Sequence, residues 1–241
     1  MHRRLLPLLA FLSILSFVHA QSPAEERSKE AIPAGSRSKE DTRKVLVVFG
    51  DSISAGYGVP QGRSFPDDLQ RKLDVAGYAW HVVNMGVSGD TTQGGVARLK
   101  TAIAAKPSLL LLELGGNDGL RGLPLAMTHA NLDQMIVAFE RSGARVVLGG
   151  MKIPPNYGPD YTHDFEQMFS ELATKYKLTF IPFIMGDIIT PDLRYFQPDH
   201  IHPTSEGAEI VSNTVLKAIK PLLGVPAHAF VLGVLVVGYP A

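Results

Sequence analysis

Apolar positions along the chain fall into two alternating rhythms. Short, mainly apolar runs at residues 45–49, 80–83, 109–114, 145–149 and 178–183 have the length of strands, and the run at 45–49 is unbroken and β-branched, as suits a strand buried on both faces. Between them, apolar residues recur every three to four positions. Leu69, Leu73 and Ala76 share one helical face, as do Val96, Leu99 and Ile103, which predicts helices that each turn one side inward. Ser64 is placed to cap the first of these, with Pro66 and Asp67 suited to its opening turn and Gly77 to its end. Further helices are expected over 95–105, 128–142, 161–176 and 204–222. Strand–helix alternation of this length implies an α/β fold, a parallel sheet with helices on both faces joined by right-handed crossovers. In such sheets, sites form beyond the carboxyl ends of strands.

Residues with chemical potential follow several of those strands. The first run stops at Gly50 and leads into Asp51, Ser52 and Ser54, in the string KVLVVFGDSISAGYG. Glycine permits a sharp turn, and N–H groups beyond it can face an incoming oxygen. Ser52 is therefore a candidate nucleophile. It needs a base, a group to orient that base, and donors for an oxyanion. Near the other end, Asp199-His200-Ile201-His202-Pro203 places Asp199 and His202 three apart, so they share a face in a turn. Asp199 can then accept from one ring nitrogen of His202 while the other meets Ser52. His200 is expected to point elsewhere, and a plain polar loop with Asp199 as a cap is the competing reading. Asn117, in Gly-Gly-Asn-Asp after the third run, and Gly89, in Val-Ser-Gly-Asp after the second, are candidate oxyanion donors. Both also suit ordinary turns, and Gly86 competes with Gly89.

Size and composition narrow the setting. A chain of 241 residues, 45% apolar and 19% charged, builds one full core rather than two large domains. Lys plus Arg and Asp plus Glu balance at 23 each, so charge favours neither nucleic acid nor an anionic surface as partner. With no cysteine, disulfides, a thiol nucleophile and thiolate metal sites are excluded.

The N-terminus carries its own address. Two arginines within residues 1–4 precede an apolar stretch of about 14 residues and then Val18-His19-Ala20, the layout of a secretory signal peptide cut after Ala20. That stretch is shorter than the roughly 20 residues a membrane span needs. Residues 21–43, rich in Ser, Glu, Lys and Arg, are expected to be a flexible leader. The folded body is expected over 44–223, with an apolar tail at 224–241 whose stretch 229–238 is too short to span a bilayer. Periplasmic or extracellular residence follows from this layout, without stable membrane insertion of the mature chain.

Each chemical hint is weak alone, whereas the ordered set is specific. Gly50-Asp51-Ser52-Ile53, Gly89, Gly115-Gly116-Asn117-Asp118 and Asp199-x-x-His202-Pro203 resemble the four blocks of the GDSL, or SGNH, hydrolase family. The longer strings VVNMGVSGDTTQGGVARL and ELGGNDGLRG are similar to its bacterial periplasmic branch of arylesterases, acyl-CoA thioesterases and lysophospholipases. The resemblance runs from about Lys44 to Leu223. It implies a flavodoxin-like three-layer α/β/α fold and Ser52 as nucleophile, with Asp199 and His202 completing a triad. It further implies an oxyanion hole of the Ser52 N–H, the Gly89 N–H and the Asn117 side chain. Ile53 replaces the family's usual leucine, a swap that conserves volume. The resemblance calls for no cofactor or metal, only a small acyl ester or thioester substrate.

Parts of the same pattern fit other functions. A carbohydrate acetyl esterase fits the same blocks. A metal-dependent phosphoesterase would use Asp51, Asn117, Asp118, His200 and His202 as ligands, but lacks the usual Asp-x-His before Gly50. A non-catalytic binding module would share the fold. No Gly-x-Ser-x-Gly elbow occurs, which disfavours the α/β-hydrolase family proper. For the acyl group, Leu120, Ile153, Pro154 and Tyr157, with Met151 and Pro155, offer an apolar groove.

Overall fold

The structure is a computed structural model, and it describes residues 42–226. The strands are β1 (Lys44–Gly50), β2 (Trp80–Asn84), β3 (Leu109–Glu113), β4 (Arg145–Gly149) and β5 (Thr179–Ile181). They form one sheet in the order β2-β1-β3-β4-β5, every pair parallel. This is the flavodoxin-like order, which reverses direction between β1 and β3 and opens a crevice there. Leu46 pairs with Leu109 and Gly50 with Glu113, so the two central strands end level with one another. Leu46–Phe49 and Leu109–Leu112 are essentially inaccessible to solvent, as strands covered on both faces must be.

The helices are α1 (Ser52–Ala55), α2 (Phe65–Val75), α3 (Thr92–Ala104), α4 (Gly116–Leu120), α5 (Leu125–Arg141), α6 (Pro159–Tyr176) and α7 (Ser205–Ile219). Helix α2 packs on α7, and α3 and α6 both pack on α5; helices cover both sides of the sheet. The fold is thus the expected three-layer α/β/α arrangement. Helix α2 begins where its sequence predicts: Ser64 and Asp67 form a reciprocal capping box, with proline in the first turn.

Boundaries differ where local capping and proline outweigh periodicity. Helix α3 starts at Thr92, three residues before the expected 95, because the Thr91 hydroxyl accepts from Gly94 N–H at 3.3 Å. Two glycines inside this first turn are tolerated for a steric reason. A Cβ on Gly95 would lie 2.5 Å from Leu114 Cδ1 and 2.9 Å from Met135 Sδ. Helix α5 starts at Leu125 rather than 128, directly after Pro124. The fifth strand shrinks to three residues.

The expected signal peptide, the leader as far as residue 41 and the apolar stretch 229–238 lie outside the described residues. Among the described residues, no helix is long and apolar enough to cross a membrane.

Candidate active site

The site is assembled at the carboxyl ends of β1, β2 and β3 and closed by the loop before α7. Asp51 follows β1 and caps α1, its Oδ1 accepting from Ile53 N–H at 3.0 Å. The cap fixes Ser52 in the first turn, where a backbone N–H has no partner within the helix. Gly50 is required by crowding. A Cβ there would meet Glu113 Oε2 and Ser54 Oγ, each at 2.1 Å.

Beneath this turn lies Glu113, the last residue of β3, with no exposed surface. Its Oε2 accepts from Asp51 N–H at 3.3 Å and from the Ser54 hydroxyl, while Oε1 is buried without a partner. Burial, followed by the nearby Asp51 carboxylate, pushes Glu113 well above the usual carboxylate range. Burial also lifts Asp51, to about 6, against the opposing pull of the Ile53 N–H and His202.

His202 arrives from the loop ahead of α7. Asp199 Oδ1 accepts from the N–H groups of Ile201 (2.9 Å) and His202 (3.0 Å), and Oδ2 lies 2.7 Å from His202 Nδ1. The other ring nitrogen, Nε2, lies 2.9 Å from Ser52 Oγ. The three-residue spacing thus works in a turn rather than in a helix. Partial burial tends to raise the Asp199 carboxyl, yet the hydrogen bonds from His202 and Ile201 hold it at about 2. His200 adopts a left-handed backbone, φ +57°, and borders the same cleft instead of turning away from it.

Asn117 sits in α4, a helix too short for periodicity to predict. Its Nδ2 donates to Asp90 O at 3.0 Å and to Asp51 Oδ2 at 3.2 Å. The neighbouring Asp118 anchors α4. It accepts from Thr92 N–H (2.9 Å), Thr92 Oγ1 (2.6 Å) and Thr128 Oγ1 (3.3 Å). Gly89 lies on the exposed loop after β2 with φ +80°, and its carbonyl accepts from Arg121 Nη2 at 2.9 Å. Gly86 is engaged otherwise: its N–H donates to Asn84 Oδ1 at 2.9 Å, and its backbone presses on that of α1. One guanidinium ties these strand ends together. Arg98 on α3 donates to Gly50 O (2.9 Å), Met85 O (2.6 Å) and Asp90 Oδ2 (2.6 Å), and stacks 3.9 Å from the Phe49 ring centroid.

Ser52, Asn117 and His202 open onto a cleft of about 470 Å³. Leu120, Ile153 and Pro154 border it as expected from sequence. Tyr157 does not border it, because its hydroxyl is turned to donate to Leu120 O at 2.6 Å, where it braces the wall. Phe183, at the end of the run 178–183, also borders the cleft, with Met185, Leu193 and Phe196 from a segment without regular periodicity that the sequence does not point to. Arg98 and Glu113 were missed too. For Glu113 the signal was present, a lone charge inside an apolar run.

Of the phosphoesterase alternative's ligand set, Asp51, Asn117, His200 and His202 border the cleft, while Asp118 is held by Thr92 and Thr128. Both oxygens of Asp118 are taken by Thr92 and those of Asp51 by Ile53 and Asn117. Among the described residues, no cluster of three or more His, Asp or Glu is arranged to hold a metal ion.

Comparison with known proteins places this geometry in a family. The GDSL-like lipase/acylhydrolase family matches residues 48–210. "Esterase TesA" of Pseudomonas aeruginosa is 38% identical over 187 residues, covering 77% of this chain and 92% of that protein. "Arylesterase" of Vibrio mimicus is 39% identical over 177 residues, covering 71% and 88%. Among solved structures, the psychrotrophic esterase EstA from Pseudoalteromonas sp., inhibited by monoethylphosphonate, superposes with a TM-score of 0.71 at 30% identity, covering 76% of this chain and all of that one. The chain belongs to the GDSL-like lipase/acylhydrolase family and is a serine hydrolase of carboxylic esters.

Proposed function

We propose that Ser52, His202 and Asp199 are the catalytic residues of an acyl-ester hydrolase that works through an acyl-enzyme. The observation that carries this is the continuous path from Asp199 Oδ2 through His202 to Ser52 Oγ, with contacts of 2.7 and 2.9 Å. His202 Nε2 takes the Ser52 proton as Oγ attacks the ester carbonyl, and Asp199 holds the ring and favours the imidazolium that forms. The Ser52 N–H, the Gly89 N–H and Asn117 Nδ2 receive the oxyanion. Asn117 gives up its longer bond, to Asp51, as the negative charge develops. His202 then protonates the leaving oxygen, and water attacks the acyl-enzyme with His202 again as base.

Apolar walls favour a hydrocarbon acyl group over a sugar ring. Leu120, Ile153, Pro154 and Phe196 give the acyl chain surface to bury without leaving donors unpaired. We assign the substrate class as short to medium acyl esters and thioesters. The working chain is the body from 44 to 223, exported by the N-terminal segment to the periplasm or beyond.

The test is turnover of p-nitrophenyl acetate and butyrate by purified protein. Ser52→Ala should lose activity and labelling by a fluorophosphonate, and wild-type activity should survive EDTA. Asn117→Ala should lose ~100- to 1000-fold in kcat. Turnover by Ser52→Ala at the wild-type rate would overturn the assignment.

A further inference from the structure

The Ser52–His202 contact joins side chains 150 positions apart. Asp199 fixes the imidazole only relative to its own loop, so something must register that loop on the turn carrying Ser52. Gln197 spans the seam. Its Nε2 donates to Tyr57 O at 2.7 Å, just beyond α1, and to Pro203 O at 2.8 Å. Its backbone N–H donates to His202 O at 2.8 Å. One residue therefore grips the turn behind the nucleophile and both residues of the His202-Pro203 pair.

The opposing turn is shaped to admit this amide. Gly58 has φ +74°, and a Cβ there would lie 2.1 Å from Gln197 Oε1. Beside it, Tyr57 is 55% exposed, yet its ring centroid lies 4.6 Å from that of His202. A ring so placed limits outward swing of the imidazole.

We propose that Gln197 is a positioning residue that clamps the His202 loop to the turn behind Ser52, with Tyr57 as the outer stop for the imidazole. This rests on the proposed roles of Ser52 and His202. A base must stay within hydrogen-bond reach of the proton it takes, and small misplacements cost rate steeply.

Gln197→Met keeps the side chain's length and removes both of its donors. Measured on p-nitrophenyl butyrate well below Tm, kcat should fall about tenfold with KM within about twofold, and fluorophosphonate labelling should slow by the same factor. Tyr57→Ala should lower kcat about threefold and Tyr57→Phe should restore it. Because both residues act on one ring, the double variant should lose less than the product of the single losses. A purely structural role would lower Tm and leave kcat per folded molecule unchanged, and that result overturns the proposal. If Gln197→Met does not fold, the Tyr57 pair decides, and wild-type kcat for Tyr57→Ala overturns it. An active Ser52→Ala would bring down the underlying assignment instead, so the two failures are distinguishable.

Discussion

Asp51 Oδ2 accepts a hydrogen bond from Asn117 Nδ2 at 3.2 Å. The residue that caps the helix bearing Ser52 thus also orients the amide on the far side of the cleft. Asp51 therefore links the proposed nucleophile to the proposed oxyanion donor.

That link has a thermodynamic cost with a definite sign. Burial raises the Asp51 carboxyl to about 6 from an ordinary 3.8, so the folded state holds its proton more tightly than the unfolded chain does. The resulting stability is complete below about pH 3.8 and is lost as pH rises through about 6. Asp51→Asn does not titrate. Its stability relative to wild type should therefore rise by on the order of 1–3 kcal/mol between pH 4 and pH 8. Its amide, however, would set one NH₂ group against another at Asn117, and kcat should drop about tenfold. Denaturant unfolding at pH 4 and pH 8, alongside ester kinetics, measures both effects. A stability difference from wild type that is the same at pH 4 and pH 8 would contradict the burial account.

Glu113 supplies a second test, of isostere against deletion. Since burial favours its uncharged form, Glu113→Gln should fold and turn over substrate much as wild type does at neutral pH. Glu113→Ala leaves the Asp51 N–H and the Ser54 hydroxyl without their acceptor in a dry site and opens a cavity. A loss of about 2–5 kcal/mol is expected in urea unfolding. Equal stability of the two variants would show that the acceptor is dispensable.

Arg98 offers a fork that lysine lacks. Arg98→Lys puts a single nitrogen where Nε, Nη1 and Nη2 reach the separate acceptors at Asp90, Met85 and Gly50, and gives up planar stacking on Phe49. A loss of about 2 kcal/mol is expected, with a fall in kcat because the Gly50 carbonyl lies directly behind Asp51 and Ser52. Unchanged thermal unfolding would refute that role.

The cleft's depth is testable through chain length. Ile153→Trp adds bulk to the wall near Ser52. Hydrolysis of p-nitrophenyl octanoate should fall about tenfold while acetate changes little. A uniform loss across chain lengths would place Ile153 outside the acyl path.

Much of this architecture was legible in the sequence because it rests on local signals. Unbroken apolar runs gave the central strands. Ser64, Pro66 and Asp67 gave the start of α2, and the three-residue spacing gave the Asp199–His202 contact. What escaped depended on distant partners. Gln197 and Phe196 lie in a segment with no period, and Tyr157 looked like cleft lining until its hydroxyl found the Leu120 carbonyl. Helices α1 and α4, at four and five residues, are shorter than two turns and leave no repeat to read. Arg98 resembled any solvated helix cation, since two of its three acceptors are backbone carbonyls that composition cannot reveal.

The separation of Ser52 from His202 has a consequence for how the molecule comes into being. The turn carrying the proposed nucleophile can form once β1 and β3 have paired, but the proposed base lies beyond β5, in the loop leading into α7. A chain emerging from the ribosome carries Ser52 long before His202 exists, and their contact closes one of the longest loops in the fold. Hydrolytic activity is therefore withheld until the last strand and helix have docked. Turnover of a chromogenic ester consequently reports completion of folding, later than secondary structure would.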